Sequence, residues 1–432
     1  MTVLTTQFEN SRDFAKRMDQ EDELKYFRER FKIPSHGHDL ATYFLGNSLG
    51  LQPRSTEEYI ARILDDWERY GVEAFFVGAD PWLDYHEKLV EPLSTIVGAR
   101  PAEIVVMNQL TVNLHLMMVS FYEPRGKKNK ILCEARAFPS DQYMLESQCR
   151  FHGLDPETTI IEVGARKGEE LIRMEDILQK IEDHKDELAM VLWGGLNYYS
   201  GQYFDIGAIA NAAHDAGAVV GIDFAHGAGN IPLHLHDWDI DFACWCSYKY
   251  LNSGPGAIAG AFIHERYHGA PLNRFAGWWG YRKETRFNME KGFVPIDSAE
   301  GWQLSTPSPL LYATHLAALE IFDEAGMEKL RNKSVKLTGF LQFLLEELNR
   351  RSSGEHIRII TPKEIHRKGC QVSLVARGHG RKIYDELMRE GFFIDWREPD
   401  VIRLAPVPLY NRFEEVWRFV VLLEEVLHRV TR

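Results

Sequence analysis

Lys249 ends the run Ser247-Tyr248-Lys249-Tyr250, directly behind the apolar stretch Phe242–Cys246. A lysine amine can condense with an aldehyde, and a pocket at a strand end could hold one for that purpose. Asp223 ends a second apolar stretch, Ala218–Ile222. A carboxylate there could keep a ring nitrogen protonated. Leu110-Thr111 opens a helical pattern, and amides at a helix start with a hydroxyl beside them suit an anion such as phosphate. In Phe138-Pro139-Ser140-Asp141 the aromatic could lie on a ring face and the acid could bond near its nitrogen. His226 follows Asp223 closely and could pack on the same ring. Each residue also fits an ordinary role: a surface lysine, a turn or cap aspartate, a plain helix cap, a structural histidine.

Taken together they supply what pyridoxal 5′-phosphate (PLP) requires of a protein: an imine-forming lysine, an acid for the pyridine nitrogen, donors for the phosphate and a group against the ring.

Positioning these residues requires a sheet. From residue 104 short apolar runs alternate with helical patterns: Ile104–Met107, Lys130–Cys133, Ala189–Trp193, Ala218–Ile222, Phe242–Cys246 and Gly260–Ile263 read as strands. Helices are expected over Val112–Tyr122 and after Asp205, which caps a helix stopped by Gly217. This alternation implies an α/β fold with a mainly parallel sheet between helices, and such sheets bind ligands beyond the carboxyl ends of their strands. Asp223 and Lys249 both stand at such ends. Helices are further expected over 11–32, 55–70, 83–97 and 310–350. Residues 370–432 read as a smaller α+β unit. The expected division is 1–65, an N-terminal segment joining the small domain; 66–310, a large cofactor-binding domain; and 311–432, the C-terminal small domain.

Composition narrows the classes. The chain has 432 residues, a formal charge of −13 and 45% hydrophobic residues. No basic block points to nucleic acid, and no apolar run is long enough to span a membrane. The charged N-terminus lacks the apolar core of a signal peptide, so a cytoplasmic location is expected. The five cysteines are sparse, and Cys244-Trp245-Cys246 reads as strand packing. His234-Leu235-His236-Asp237-Trp238-Asp239 gathers possible metal ligands, but it reads as a polar connection, and no metal is expected.

The runs GNSLGLQP (46–53), NLHLMMVSFY (113–122), AFPSDQY (137–143), GIDFAHGAGN (221–230), DFACWCSYKYLNSGPGAIAGAF (241–262) and RLAPVPLYN (403–411) closely resemble kynureninase over nearly the whole chain. The resemblance implies a fold type I PLP enzyme with a seven-stranded-type sheet. It implies a homodimer with active sites at the subunit interface. The implied reaction is hydrolysis of L-kynurenine to anthranilate and L-alanine, and of 3-hydroxykynurenine as a further substrate, in tryptophan catabolism or NAD biosynthesis.

By the same resemblance Lys249 carries PLP and Tyr248 transfers protons. Leu110, Thr111, Phe138, Pro139, Ser140, Asp141, Asp223, His226, Trp278 and Thr306 line the cofactor, Trp278 from a neighbouring subunit. Ser48, Phe75, Thr306 and Arg403 meet the substrate, Arg403 at its carboxylate. Thr306 stands where eukaryotic members have asparagine, and Phe75 replaces a polar residue of those members, which leaves the preference between the two substrates open. A cysteine desulfurase or selenocysteine lyase of the same fold is the alternative, and it would need a reactive thiol such as Cys370 on a mobile loop. A PLP-dependent regulator would need a DNA-binding module for which the N-terminus leaves no room.

Overall fold

A computed structural model describes residues 7–351, 357–376 and 378–430. The chain divides into two compact units: 56–197 with 204–320, and 1–55 with 198–203 and 321–432. Residues 56–65 thus go with the larger unit and 198–203 with the smaller.

The larger unit is built on seven strands: β1 (Ile104–Val106), β2 (Lys130–Glu134), β3 (Ile160–Val163), β4 (Leu188–Gly194), β5 (Val219–Asp223), β6 (Phe242–Trp245) and β7 (Gly260–Ile263). Their order across the sheet is β1-β7-β6-β5-β4-β2-β3. The pairs from β6 through β3 are parallel, whereas β7 runs antiparallel to both β6 and β1. The Gly254-Pro255-Gly256 turn explains that reversal. Parallel neighbours need a crossover, usually a helix, and residues 246–259 between β6 and β7 form turns and no helix.

All but the edge strand β3 are buried along nearly their whole length, which is why they read as continuous apolar runs rather than alternating ones. Helices α1 (Leu110–Phe121), α2 (Pro139–Phe151) and α3 (Ile206–Asp215) cover the sheet. The Asp205 side chain caps α3 by accepting from the Ala208 amide, and Gly217 closes it in the left-handed region. One core cluster gathers Leu114, Met117, Met118 and Phe121 of α1 with Met144 and Leu145 of α2 and Phe242 and Cys244 of the sheet.

The smaller unit has a four-stranded sheet of β8 (Ile357–Ile359), β9 (Val372–Ala376), β10 (Asp395–Arg397) and β11 (Val401–Leu404), all antiparallel in the order β8-β9-β11-β10. Helices Met327–Arg351 and Phe413–Val430 pack on it around Leu341, Leu345, Phe419 and Leu423.

The helix expected over 11–32 is shorter, spanning Arg12–Glu21, and is followed by a 3-10 helix over Lys25–Arg30. Asp22 leaves the helical region there. Its carboxylate accepts from the Leu24 amide and pairs with buried Lys333 at 2.7 Å, so the local bonds of the turn displace the next helical ones.

Candidate active site

In the larger unit the carboxyl ends of β5 and β6 bring together the residues singled out above. Asp223 is the last residue of β5 and lies opposite Gly194 of β4 and Cys244 of β6 in register. Its carboxylate accepts from the Ala225 amide at 2.6 Å. Lys249 sits just past β6 on a tight loop. The Ser253 amide donates back to the Ser247 carbonyl at 3.1 Å, the Asn252 amide donates to the Lys249 carbonyl at 3.1 Å, and Asn252 takes a positive φ. The lysine ammonium lies 5.9 Å from the ring centres of both Phe138 and Tyr248.

Asp141, in the first turn of α2, is buried and hydrogen-bonds Asp223. Burial raises both carboxyls above the ordinary carboxylate range, and Lys249 opposes that rise in both. Asp141 is pushed further by the Asp223 charge and by its hydrogen bond to Asp223, which favours the proton on Asp141. The Oδ1 of Asp141 has no hydrogen-bond partner among the described residues. A buried polar atom left so is costly unless a bound group meets it. An acid pair beside a lysine, with one oxygen unsatisfied, fits a protonated heteroaromatic nitrogen.

The phosphate end of such a group has a place as well. The chain after Lys249 returns to Ala259, whose backbone pairs with Met107 and Asn108 just ahead of α1. Asn108 adopts φ 49°, turning the chain from β1 into the helix, and its side chain donates to Asn113 at 3.0 Å. No side chain caps the first turn of α1, so the amides around Leu110 and Thr111 stay available to an anion. Phe138 directly precedes α2, with Pro139 in its first turn and Ser140 next. Buried His226 lies edge-on to Tyr250, and its carbonyl accepts from Asn230 at 2.9 Å. The Cys246 sulfur donates to the Ala225 carbonyl at 3.6 Å, and burial, with the Cys246 thiol beside it, raises the Tyr248 phenol above its ordinary value.

Other expected residues stand apart from this group. Phe75 is half-buried and packs edge-on against Trp82 and, tilted at 6.4 Å, against Trp279, which in turn meets Trp278 at 5.8 Å. Trp278 donates to the Arg286 carbonyl and is 43% exposed. Thr306 is exposed in the loop after the 3-10 turn Ala299–Trp302.

Ser48 and Arg403 belong to the smaller unit. There the GNSLG loop runs beside the end of β11, with Leu45 bridging Ala405. Arg403 is fully buried. Its Nε donates to Asp395 at 2.5 Å, and its other guanidinium nitrogens reach Asp395 and the Tyr198 carbonyl. Gln371 donates to the same carbonyl and bonds Asn47. Ser48 follows Asn47 in that loop.

Sequence reasoning missed two groups. Glu134, the buried acid at the end of β2, was readable as a strand-end acid like Asp223 but lacked a lysine to point to it. Asp395, the partner of Arg403, carried no signal, because a cross-strand pairing cannot be read from one strand alone.

Of the His234–Asp239 stretch, only His236 enters a cluster of possible ligands, with Glu103 and His264. Those groups already satisfy one another: His236 bonds Glu103 at 2.9 Å, Glu103 accepts from the Arg100 and Glu265 amides, and His264 accepts from the Arg266 amide. Cys370 is buried ahead of β9, not on an exposed loop.

The kynureninase C-terminal domain family matches residues 330–423. The kynureninase of Flavobacterium psychrophilum is 52% identical over 419 residues, covering 97% of this chain and 98% of that protein. The kynureninase of Myxococcus xanthus is 52% identical over 420 residues, covering 96% and 97%. Among solved structures, a variant of the lyase C-DES with glycine covalently linked to its PLP cofactor superposes with a TM-score of 0.76 at 17% identity, over 92% of this chain and 99% of that one. The cysteine desulfurase CsdA of Escherichia coli gives 0.76 at 17% identity, over 94% and 99%. At that identity the two structures share the fold and nothing finer.

Proposed function

The chain belongs to the kynureninase family, and from that premise we propose how its residues divide the work. It is a PLP enzyme that hydrolyses L-kynurenine at the Cβ–Cγ bond, giving anthranilate and L-alanine. When bound, the cofactor supplies an electron sink for negative charge developing at the substrate Cα.

Lys249 would hold the cofactor covalently, and its amine would take the proton from the substrate Cα. Asp223 would accept a hydrogen bond from the protonated ring nitrogen, and the proton held by Asp141 keeps the pair at a single negative charge. The amides at Leu110 and Thr111 take the phosphate. Phe138, Pro139, Ser140 and His226 would line the space for the cofactor ring. Tyr248, protonated because burial disfavours its anion, gives a proton at the substrate while water attacks the Cγ carbonyl. Arg403, with its fork held by Asp395, takes the substrate carboxylate, and Ser48 lies in the adjoining loop. Phe75 and Thr306 bound the aryl pocket.

The buried Asp141–Asp223 pair, with an unsatisfied oxygen near Lys249, carries this assignment. A desulfurase is disfavoured because Cys370 is buried. The exposed ring cluster Phe76, Trp278 and Phe287 supports a homodimer in which Trp278 reaches the partner's cofactor. Among the described residues no helix is long and apolar enough to cross a membrane, and the buried free cysteines fit a cytoplasmic setting. The reaction then serves tryptophan catabolism or NAD biosynthesis.

Mixing the protein with kynurenine and with 3-hydroxykynurenine and following the fluorescence of the released anthranilate tests the reading. Lys249→Ala should abolish both the turnover and the visible absorbance of bound cofactor. Normal activity in that variant contradicts the assignment.

A further inference from the structure

Glu134 closes β2 on the far side of β4 from Asp223. The residue of β4 in register with Asp223 is Gly194. A Cβ on Gly194 would stand 2.8 Å from the Glu134 Oε1, so the glycine leaves the gap through which the glutamate carboxyl extends over the end of β4. The carboxyl is buried, and its Oε2 accepts a 3.2 Å hydrogen bond from the neutral amide of Asn197. No salt bridge to Glu134 occurs among the described residues.

The titratable groups facing it are acids or thiols. Asp223 comes from β5, Asp141 from α2 and Cys133 from its own strand. The cation of the site, Lys249, acts on Asp223 and Asp141. One cation beside three buried carboxyls cannot sustain three charges.

We propose that Glu134 is a positioning residue that keeps a neutral, protonated carboxyl beside Asp223, so that Asp223 alone presents negative charge to the cofactor nitrogen. The role deepens the PLP assignment above and rests on it, although the proton on Glu134 exists with or without cofactor. Burial and the Asp223 charge together hold the Glu134 carboxyl up to about 8, whereas the Asn197 bond pulls it down. A second charge there would raise the Asp223 carboxyl further and favour its protonation at the expense of its charge. Gly194 serves this arrangement by making room for the carboxyl.

Melting of the apoprotein and of Glu134→Gln as a function of pH tests the proton directly. Glutamine keeps the shape and the Asn197 contact but has no proton to lose. A carboxyl protonated in the fold and ionised in the unfolded chain favours the wild type at low pH, and the advantage shrinks as pH rises from 4.5 to about 8. The difference between the two melting temperatures should therefore fall across that range and level off above it. A difference that is flat across the range overturns the proposal, because it means that Glu134 is ionised in the fold.

A second arm titrates both apoproteins with PLP at neutral pH and follows the visible absorbance. Glu134→Gln should bind within about threefold of wild type, whereas Glu134→Ala, which empties the gap, should bind more weakly. A loss above about tenfold in the glutamine variant overturns the role, because it means that a charge was removed. The melting arm needs no cofactor, so a failure of the PLP assignment and a failure of the Glu134 proposal give different results.

Discussion

Asp223→Asn separates the charge of the ring-nitrogen acid from its shape. The Oδ1 of asparagine can still accept from the Ala225 amide, which Asp223 does at 2.6 Å. What disappears is a negative charge next to Lys249 and next to the protonated Asp141. Both carboxyls are raised by burial, so the apoprotein gains nothing from charging Asp223, and the substitution should leave its melting temperature nearly unchanged.

Cofactor binding should change. A hydrogen bond between two charged groups is worth ~1.5–3 kcal/mol, and 1.4 kcal/mol is a factor of ten, so PLP affinity should fall roughly 10- to 150-fold. Turnover at saturating PLP should fall further, by about 100-fold or more. The lost charge is a preorganised electrostatic element that acts most strongly as charge develops on the substrate. The assay is a titration of the apoprotein with PLP by absorbance, followed by anthranilate fluorescence with kynurenine at saturating cofactor. A variant that binds PLP within about threefold of wild type and turns over normally would refute the role of Asp223. A variant that fails to fold would refute the claim that the apoprotein does not depend on the charge.

Arg403→Lys should raise KM for kynurenine by about tenfold or more with a smaller change in kcat, because an ammonium cannot reproduce the two-pronged grip that the Asp395-held guanidinium offers; steady-state kinetics reads the split. Thiol alkylation of the native protein should leave activity intact, since every cysteine is buried, and mass spectrometry after brief exposure should find the thiols unmodified. Burial lowers His315 to about 3, and Ser253 bonds its ring at 2.6 Å. A histidine held neutral contributes stability that is full above 6.5 and is lost as pH falls towards its folded value, so the melting advantage of the wild type over His315→Gln should shrink below pH 6.5.

Six of the seven strands of the large sheet were readable because burial on both faces makes each a short apolar run, and a polar residue then stands out as its end; the edge strand β3, which exposes Glu162, was missed. Asp223 and Lys249 were found that way. The same logic failed where the determinant lies across strands. Glu134 ends an equally apolar strand, yet nothing in its own segment says that Gly194, the β4 residue in register with Asp223, lets its carboxyl through. Asp395 shows the limit from the other side: Arg403 reads as a substrate arginine only through family likeness, and its orientation depends on an antiparallel neighbour whose register, Asp395 opposite Arg403, is set by the fold. The shortened N-terminal helix follows the same rule. Periodicity over 11–32 was genuine, but Lys333, remote in sequence, claims Asp22 and ends the helix there. Local pattern therefore located the strand-end acid and the lysine beyond the next strand, while the groups that set their charge and direction became visible only once non-adjacent strands were side by side. Mutations at Glu134, Gly194 and Asp395 should accordingly change the tuning of the site, in pH profile and in KM, before they change its composition.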